Sequence, residues 1–319
     1  MVEYYIMKKW KLFISTLLFT GLLLVSCATT SNEAKANNEA IEIAEPQPTQ
    51  EELFLNSLEN VTLKFTAVPS KTKKGKAFSS AYEIVVTDKD GSPVPSYEIT
   101  LVVPSAKEGS NIIFKELNVS TDENGHAEYM PDAPAFAAKT QISAYPAIPE
   151  GLAVTARDVK ANTVYADFLC ESDIVSKGAI MFVFEYNENG KSPKNSYDIL
   201  SGLRSKGVYQ IGNAPISDTD YINASKEKIY KENYAYVGTD FGYLIGGTVK
   251  FTNPVEKNDD GTYTAHMIAE LYGIDMKTGN VIYEATNEYT SSGTNWNKAV
   301  ESCRDKLTAM VVDSIMFGL

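Results

Sequence analysis

The sequence predicts a β-sandwich followed by an α+β layer domain with the element order β-α-β-α-β-β-β-α. Residues 55–166 contain short runs in which apolar and polar residues alternate between turn dipeptides, a pattern typical of sandwiches. Residues 168–319 instead combine a continuously apolar strand with apolar residues at helical spacing. The length that remains after the N-terminal segments is sufficient for these two domains.

The N-terminus has the organisation of an export signal. A basic start precedes an apolar run over residues 12–24, which is too short to span a bilayer as a stable helix. The run ends at Leu24-Val25-Ser26-Cys27, which resembles the bacterial lipoprotein signal. The resemblance implies removal of the signal peptide 1–26, acylation of the Cys27 thiol with palmitate-type chains, and stable membrane anchoring. Ordinary cleavage nearby, for example after Ala28, is the alternative.

Residues 27–54 are predicted to form the lipidated cysteine and a flexible tether. Between residues 28 and 50 the chain contains no aromatic residue and a single apolar island, Ile41-Glu42-Ile43. Such a segment buries too little apolar area to offset the entropy of ordering it. We therefore expect it to hold the folded part away from the membrane.

The predicted sandwich has strands over residues 61–67, 82–87, 97–103, 111–119, 140–145 and 154–165. Asp90-Gly91 and Asn124-Gly125 are hairpin dipeptides. The stretches 86–95 and 120–127 resemble the "D-x-x-G-x-P-V" and "T-D-x-x-G-x-A" turns of invasin/intimin-type bacterial immunoglobulin-like (Ig-like) domains. This resemblance implies an Ig-like spacer or presenting module. The aspartates of the first turn are interpreted as turn residues, because the other ligands of a calcium loop are missing.

The second domain has predicted strands over 179–184, 208–211, 243–251, 262–274 and 281–287. Its predicted helices run from Asn195 or Ser196 to Gly207, from 218 to 234, and from an N-cap at Thr294 to the end. The last helix carries an apolar stripe formed by Trp296, Val300, Cys303, Leu307, Met310, Val311 and Ile315.

The element order of this domain resembles that of a domain shared by several envelope lipoproteins and adaptors. These are penicillin-binding-protein activators, the curli secretion lipoprotein and the N-terminal domain of the Tol-Pal propeller protein. Three motifs add to the resemblance: residues 239–249, residues 271–281, and the closing amphipathic helix after a Gly-containing loop. The resemblance implies an adaptor domain. Because no pair of long alternating hairpins is present, we do not predict a pore. Gly242, Gly246 and Gly247 precede or lie within a strand, which favours close backbone packing over phosphate binding.

The composition excludes several classes of function. The net charge is −12, which argues against nucleic-acid binding and against basic patches that bind anionic lipid. No HxxxH, CxxC or GxSxG spacing occurs. The sequence therefore predicts no catalytic residue, no metal site and no cofactor.

Two sets of residues remain as candidate sites. Cys170 and Cys303 form a disulfide in the exported protein or stay as two buried free thiols, and the sequence leaves both alternatives open. Tyr230, Tyr234 and Tyr236 form an interaction face or cover the sheet, since tyrosine combines apolar area with a polar tip.

These observations lead to one functional hypothesis and two alternatives. The first is a non-catalytic, lipid-anchored protein, in the outer membrane facing the periplasm, that presents its last domain to an envelope partner such as a cell-wall synthase or an assembly complex. The alternatives are a surface-exposed adhesin or host-interaction lipoprotein, and a hydrolase or other enzyme with an unrecognised site. Homo-oligomerisation is left open.

Overall fold

The computed structural model describes residues 47–192, 194–216 and 224–319. The predicted signal peptide, Cys27 and the tether up to residue 46 lie outside these residues. Residues 48–319 form one compact unit.

The described chain begins with a helix that the sequence analysis placed partly in the tether. Helix α1, Gln50–Leu58, starts at a capping box. The Glu52 amide donates to the Thr49 hydroxyl at 3.2 Å, and the Thr49 amide donates to the Glu52 carboxylate at 2.9 Å. Leu58 is buried beside Tyr145 and Val159. The predicted tether to residue 54 is therefore too long, because this helix packs on the domain that follows.

Two sheets pack face to face in the first half of the unit. The smaller has the order β1-β3-β6, with β1 Val61–Ala67, β3 Tyr82–Asp88 and β6 His126–Tyr129. The larger has the order β2-β8-β7-β4-β5, with β2 Thr72–Lys73, β4 Glu98–Glu108, β5 Asn111–Ser120, β7 Ala138–Pro146 and β8 Val164–Glu171. A shared apolar core joins the sheets and includes Ile84, Leu101 and Ile142. The arrangement is of the sandwich type, and the Ig-like assignment stays a prediction.

The last sandwich strand begins later and ends later than predicted. Asp158 accepts hydrogen bonds from the amide and the hydroxyl of Thr155 at 2.8 and 2.7 Å, which closes a turn. A 3-10 turn over Lys160–Asn162 follows. The predicted strand over 154–165 is therefore wrong in its first part, and β8 continues past residue 166 to Glu171.

The second half is built on one seven-stranded sheet. Its strands are β9 Ala179–Glu185, β10 Lys194–Asn195, β11 Ile211–Asn213, β12 Tyr243–Phe251, β13 Glu256–Lys257, β14 Tyr263–Asp275 and β15 Val281–Gly293. Strands β11 and β12 are parallel to β9, whereas β14 is antiparallel to β12 and β15. Strand β9 is buried at every position, as its apolar sequence predicts.

Helices cover both faces of this sheet. After the short α2 (Ile174–Lys177), helices α3 (Tyr197–Ser205) and α5 (Trp296–Gly318) share one core, and α4 (Lys226–Val237) packs in the core on the opposite face. The order β-α-β-α-β-β-β-α is present, with the short strands β10 and β13 added. The strand predicted from residue 208 is β11, which begins at residue 211. Helix α4 begins at residue 226. The predicted helical residues 218–223 lie outside the described residues.

Helix α5 differs from its prediction at two points. Its N-cap is Asn295 rather than Thr294, because the Asn295 side chain accepts from the Lys298 amide at 3.0 Å. Trp296 and Met310 are 40% and 38% exposed, so they do not belong to the buried stripe. The fully buried part of that stripe is formed by Cys303, Leu307, Val311 and Ile315.

The two cysteines are free thiols in separate cores. Cys170 lies in β8 within the sandwich core, whereas Cys303 lies on the buried face of α5 and donates to the Tyr289 carbonyl at 3.2 Å. The structure therefore contradicts the disulfide alternative, because the two thiols lie in different apolar cores. Burial raises the pKa of both thiols, that of Cys170 to about 12, so neither is a reactive thiolate at neutral pH.

Direct bonds join the sandwich to the second sheet. The Ser110 hydroxyl, in the β4–β5 turn, donates to the Glu284 carbonyl at 2.7 Å and accepts from the Glu284 amide at 2.9 Å. Lys107 donates to the Gly318 carbonyl at the end of α5, where a cation complements the helix dipole. The Ser172 amide donates to the Met316 carbonyl at 2.7 Å. These bonds fix the two halves within the compact unit.

Candidate interaction surface

Helix α4 carries the three tyrosines that the sequence analysis selected. Its N-cap Ser225 accepts from the Lys228 amide at 3.2 Å, and Gly238, with a φ of 53°, ends the helix. Ile229 and Asn233 are buried against the sheet. This orientation leaves the neighbouring tyrosine positions at the boundary between the core and solvent.

Tyr230 and Tyr234 form one aromatic pair. They are four residues apart and therefore lie on the same side of the helix. Their ring centroids are 5.5 Å apart with an interplanar angle of 43°. Tyr230 is partly buried in the core beneath α4, and Tyr234 is 41% exposed. The pair thus has an anchored member and a solvent-facing member.

The turn between β14 and β15 holds Tyr230 in place. The Asp275 carboxylate accepts from the amides of Lys277 and Thr278 at 2.9 Å each, which closes the turn. A Cβ on Gly279 would lie 2.7 Å from Cε1 of Tyr230, so only glycine permits this approach. The Tyr230 hydroxyl donates to the Met276 carbonyl at 3.4 Å. The motif over residues 271–281 therefore forms the turn that positions Tyr230.

Tyr236 does not join this pair. It is 80% exposed, but at about 100° per residue it points roughly 200° away from Tyr234 around the helix. The structure therefore brings together two of the three selected tyrosines. We define the tyrosine surface as Tyr230, Tyr234 and the turn over 275–280.

Charged groups along α4 are largely paired. Lys231 and Glu227 lie 2.6 Å apart, which lowers the pKa of Glu227 and raises that of Lys231, chiefly through their mutual hydrogen bond. Lys226 pairs with Glu284, and its ammonium lies 4.9 Å from the centre of the Tyr272 ring. The tyrosine surface is therefore bordered by paired charges, and its exposed area is mainly aromatic.

Some large exposed side chains were not selected from the sequence. Tyr197 and Tyr209 are 68% and 79% exposed in the second half of the chain, and Tyr165 and Phe114 are 55% and 42% exposed on the sandwich. No sequence motif surrounds these residues. The two on the sandwich are far apart in sequence, and only the order of the strands relates them.

The described residues lack two other kinds of feature, a metal-binding cluster and a membrane-spanning helix. In that part of the chain, no group of three or more His, Cys, Asp or Glu side chains is arranged to hold a metal ion. Within the same ranges, no helix has both the length and the apolar character needed to cross a membrane.

The C-terminal half is similar to a known lipoprotein domain. Residues 178–316 match the family model described as "TP0693-like lipoprotein, C-terminal domain". The match begins one residue before β9 and ends within α5, so it coincides with the seven-stranded sheet and its helices. The match supports the prediction, made from residues 24–27, that the chain is a lipoprotein. The finer resemblances to Ig-like domains and to penicillin-binding-protein activators stay predictions.

Solved structures resemble part of the chain at low identity. A PelC dodecamer from Paraburkholderia phytofirmans is 20% identical, covering 43% of this chain and 85% of that one, with a TM-score of 0.29. Lipoprotein GNA1162 from Neisseria meningitidis is 16% identical over 43% and 96% of the two chains, with a TM-score of 0.28. A minor lipoprotein from Acinetobacter baumannii is 12% identical over 44% and 93%, with a TM-score of 0.25. No curated protein matches the chain.

Proposed function

We propose that this chain is a non-catalytic, lipid-anchored envelope protein whose C-terminal domain binds a protein partner through the tyrosine surface. The Tyr230–Tyr234 pair carries the proposal, because one ring is fixed by the core while the other faces solvent. Aromatic residues held in this way are typical of interface hot spots. In this proposal the sandwich is the spacer that presents the domain to a cell-wall synthase or another assembly component on the periplasmic side of the outer membrane.

The anchor is tested by removing the acylated thiol. We expect Cys27→Ser to move the protein from the membrane fraction to the soluble fraction, because serine has no thiol to acylate and the acyl chains supply the anchoring energy. The neighbouring Ala28→Ser variant is the control and should stay in the membrane fraction. Retention of the Cys27→Ser protein in salt-washed membranes would show that another element anchors it.

The partner is tested with the solvent-facing tyrosine. In a cross-linked pull-down from solubilised envelopes, we expect Tyr234→Ala to lower recovery of the partner about tenfold or more, as hot-spot truncations do. Tyr209→Ala removes an even more exposed tyrosine outside the tyrosine surface and should leave recovery unchanged. Equal recovery with both variants would contradict the proposed surface.

The membrane side is tested on intact cells. A protein that faces the periplasm resists protease added outside, whereas a surface-exposed adhesin is degraded. Loss of the protein under shaving, with a periplasmic marker preserved, would replace the proposed role with the adhesin.

A further inference from the structure

The outer face of the larger sandwich sheet is only partly covered. Its inner face belongs to the core, while α1 packs at one end of the outer face through Phe54 and Leu58, next to Tyr145 and Val102. Beyond this helix the face opens into a shallow groove of about 360 Å³. The groove is lined by Val102, Phe114, Thr140, Gln141, Ser143 and Tyr165.

Two exposed aromatic rings mark the sides of this groove. Phe114 lies on β5 and Tyr165 on β8, and strands β4 and β7 run between them. Three strand spacings therefore separate their backbones, or about 14 Å. The register puts Tyr165 in one row with Ser143, Val102 and Glu116, and Phe114 lies two residues along β5 from Glu116 on the same face. The groove thus crosses the strands from one ring to the other.

The floor between the rings combines the apolar Val102 with polar side chains. Gln141 and Ser143 lie there, and the Gln141 amide donates to the Asp167 carboxylate at 3.3 Å. Glu116 pairs with Val102 across β4 and β5 and accepts from the Tyr145 hydroxyl at 3.1 Å. Each carboxylate can accept several hydrogen bonds, so both retain capacity toward a ligand. The six lining residues include no lysine or arginine.

This chemistry matches a ligand with apolar faces and many hydroxyl donors. A sugar ring presents C–H groups to an aromatic face and hydroxyls to amide and carboxylate oxygens, whereas an anionic ligand would meet Glu116 and Asp167 without a compensating cation. Tyrosine and phenylalanine supply contact area at little conformational entropy.

We infer that the groove between Phe114 and Tyr165 binds a neutral glycan whose sugar rings extend across the strands of the sandwich sheet. This site lies in the other half of the chain from the tyrosine surface. It gives the sandwich a binding role of its own in addition to that of a spacer.

The test is titration calorimetry on the full chain in detergent. The probes are cellohexaose, maltohexaose and N-acetylchitohexaose, with an alginate hexasaccharide as the anionic comparison. We expect at least one neutral probe to bind, alginate to bind at least tenfold more weakly, and Phe114→Ala or Tyr165→Ala to weaken binding of the neutral probe about tenfold. The double variant should abolish it. Both side chains are exposed, so the melting temperature of each variant should stay that of the parent.

Tyr209→Ala is the matched control and should bind as the parent does, since this exposed tyrosine lies in the other half of the chain. The inference is overturned if no neutral probe binds, if alginate binds as well as the neutral probes, or if the double variant binds like the parent. None of these results would alter the pull-down expected for Tyr234→Ala, so the two proposals fail separately.

Discussion

Replacing Arg304 with methionine is expected to lower the free energy of unfolding by about 3–5 kcal/mol at neutral pH, because it leaves a buried carboxylate without its cation. Nη1 of Arg304 lies 3.2 Å from Oε2 of Glu185, and their side chains are 19% and 2% exposed. Glu185 ends β9, and its other oxygen accepts from the Asp198 amide at 3.4 Å. The loss should appear in chemical denaturation of the full chain.

The loss should depend on pH with a definite sign. Burial first, and the nearby Asp198 carboxylate second, raise the pKa of Glu185 above its ordinary value of 4.5, and Arg304 opposes this shift. Without Arg304 the folded-state pKa rises further. The folded variant then holds a proton that the unfolded chain has released, so its stability falls as pH rises between the two pKa values. The deficit relative to the parent should therefore shrink from neutral pH toward 4.5.

Lys250→Met provides the matched control. Lys250 pairs with Glu270 at 2.6 Å, but both side chains are about half exposed. Solvent screens such a pair, so its loss should cost about 1 kcal/mol or less with little dependence on pH. If Arg304→Met lowers the free energy of unfolding no more than Lys250→Met does, burial does not strengthen the Glu185–Arg304 pair.

The sequence predicts elements well where a local pattern decides the structure. Strand β12 has the predicted bounds, 243–251, because its residues and flanking turns are unambiguous. Strand β15 was predicted only to residue 287 but extends to 293. Its last part is polar and is held by cross-strand bonds, such as His266 to Thr290 at 2.8 Å and Thr264 to Ser292 at 2.9 Å. Because apolar and polar residues do not alternate there, the sequence does not reveal that this segment is a strand.

The same distinction explains the candidate sites. Tyr230 and Tyr234 could be selected together because a spacing of four residues places side chains on one helix face. Tyr236 is close to this pair in sequence, but the helix places its side chain on another side of α4. Phe114 and Tyr165 could not be related from the sequence, because the strand order β8-β7-β4-β5 that places them on one face is set by long-range pairing.

Gly246→Ala is expected to lower the free energy of unfolding by about 1–3 kcal/mol, as overpacking of a filled core does. The register places Gly246 of β12 directly between Phe182 of β9 and Tyr272 of β14. Over the glycine, these two rings meet edge to face with centroids 6.0 Å apart. A Cβ at Gly246 would lie 2.3 Å from Cζ of Phe182 and 2.7 Å from Cζ of Tyr272, so both rings must move.

Gly212→Ala is the matched control, since Gly212 also lies in a strand of this sheet but a Cβ there would meet no atom within 4 Å. It should change the free energy of unfolding by less than about 0.5 kcal/mol. Because the Tyr272 ring lies under Lys226 at the start of α4, Gly246→Ala should also weaken partner recovery through the tyrosine surface. Equal melting of the two variants would mean that the Phe182 and Tyr272 rings move aside without cost, and the close packing inferred at Gly246 would be contradicted.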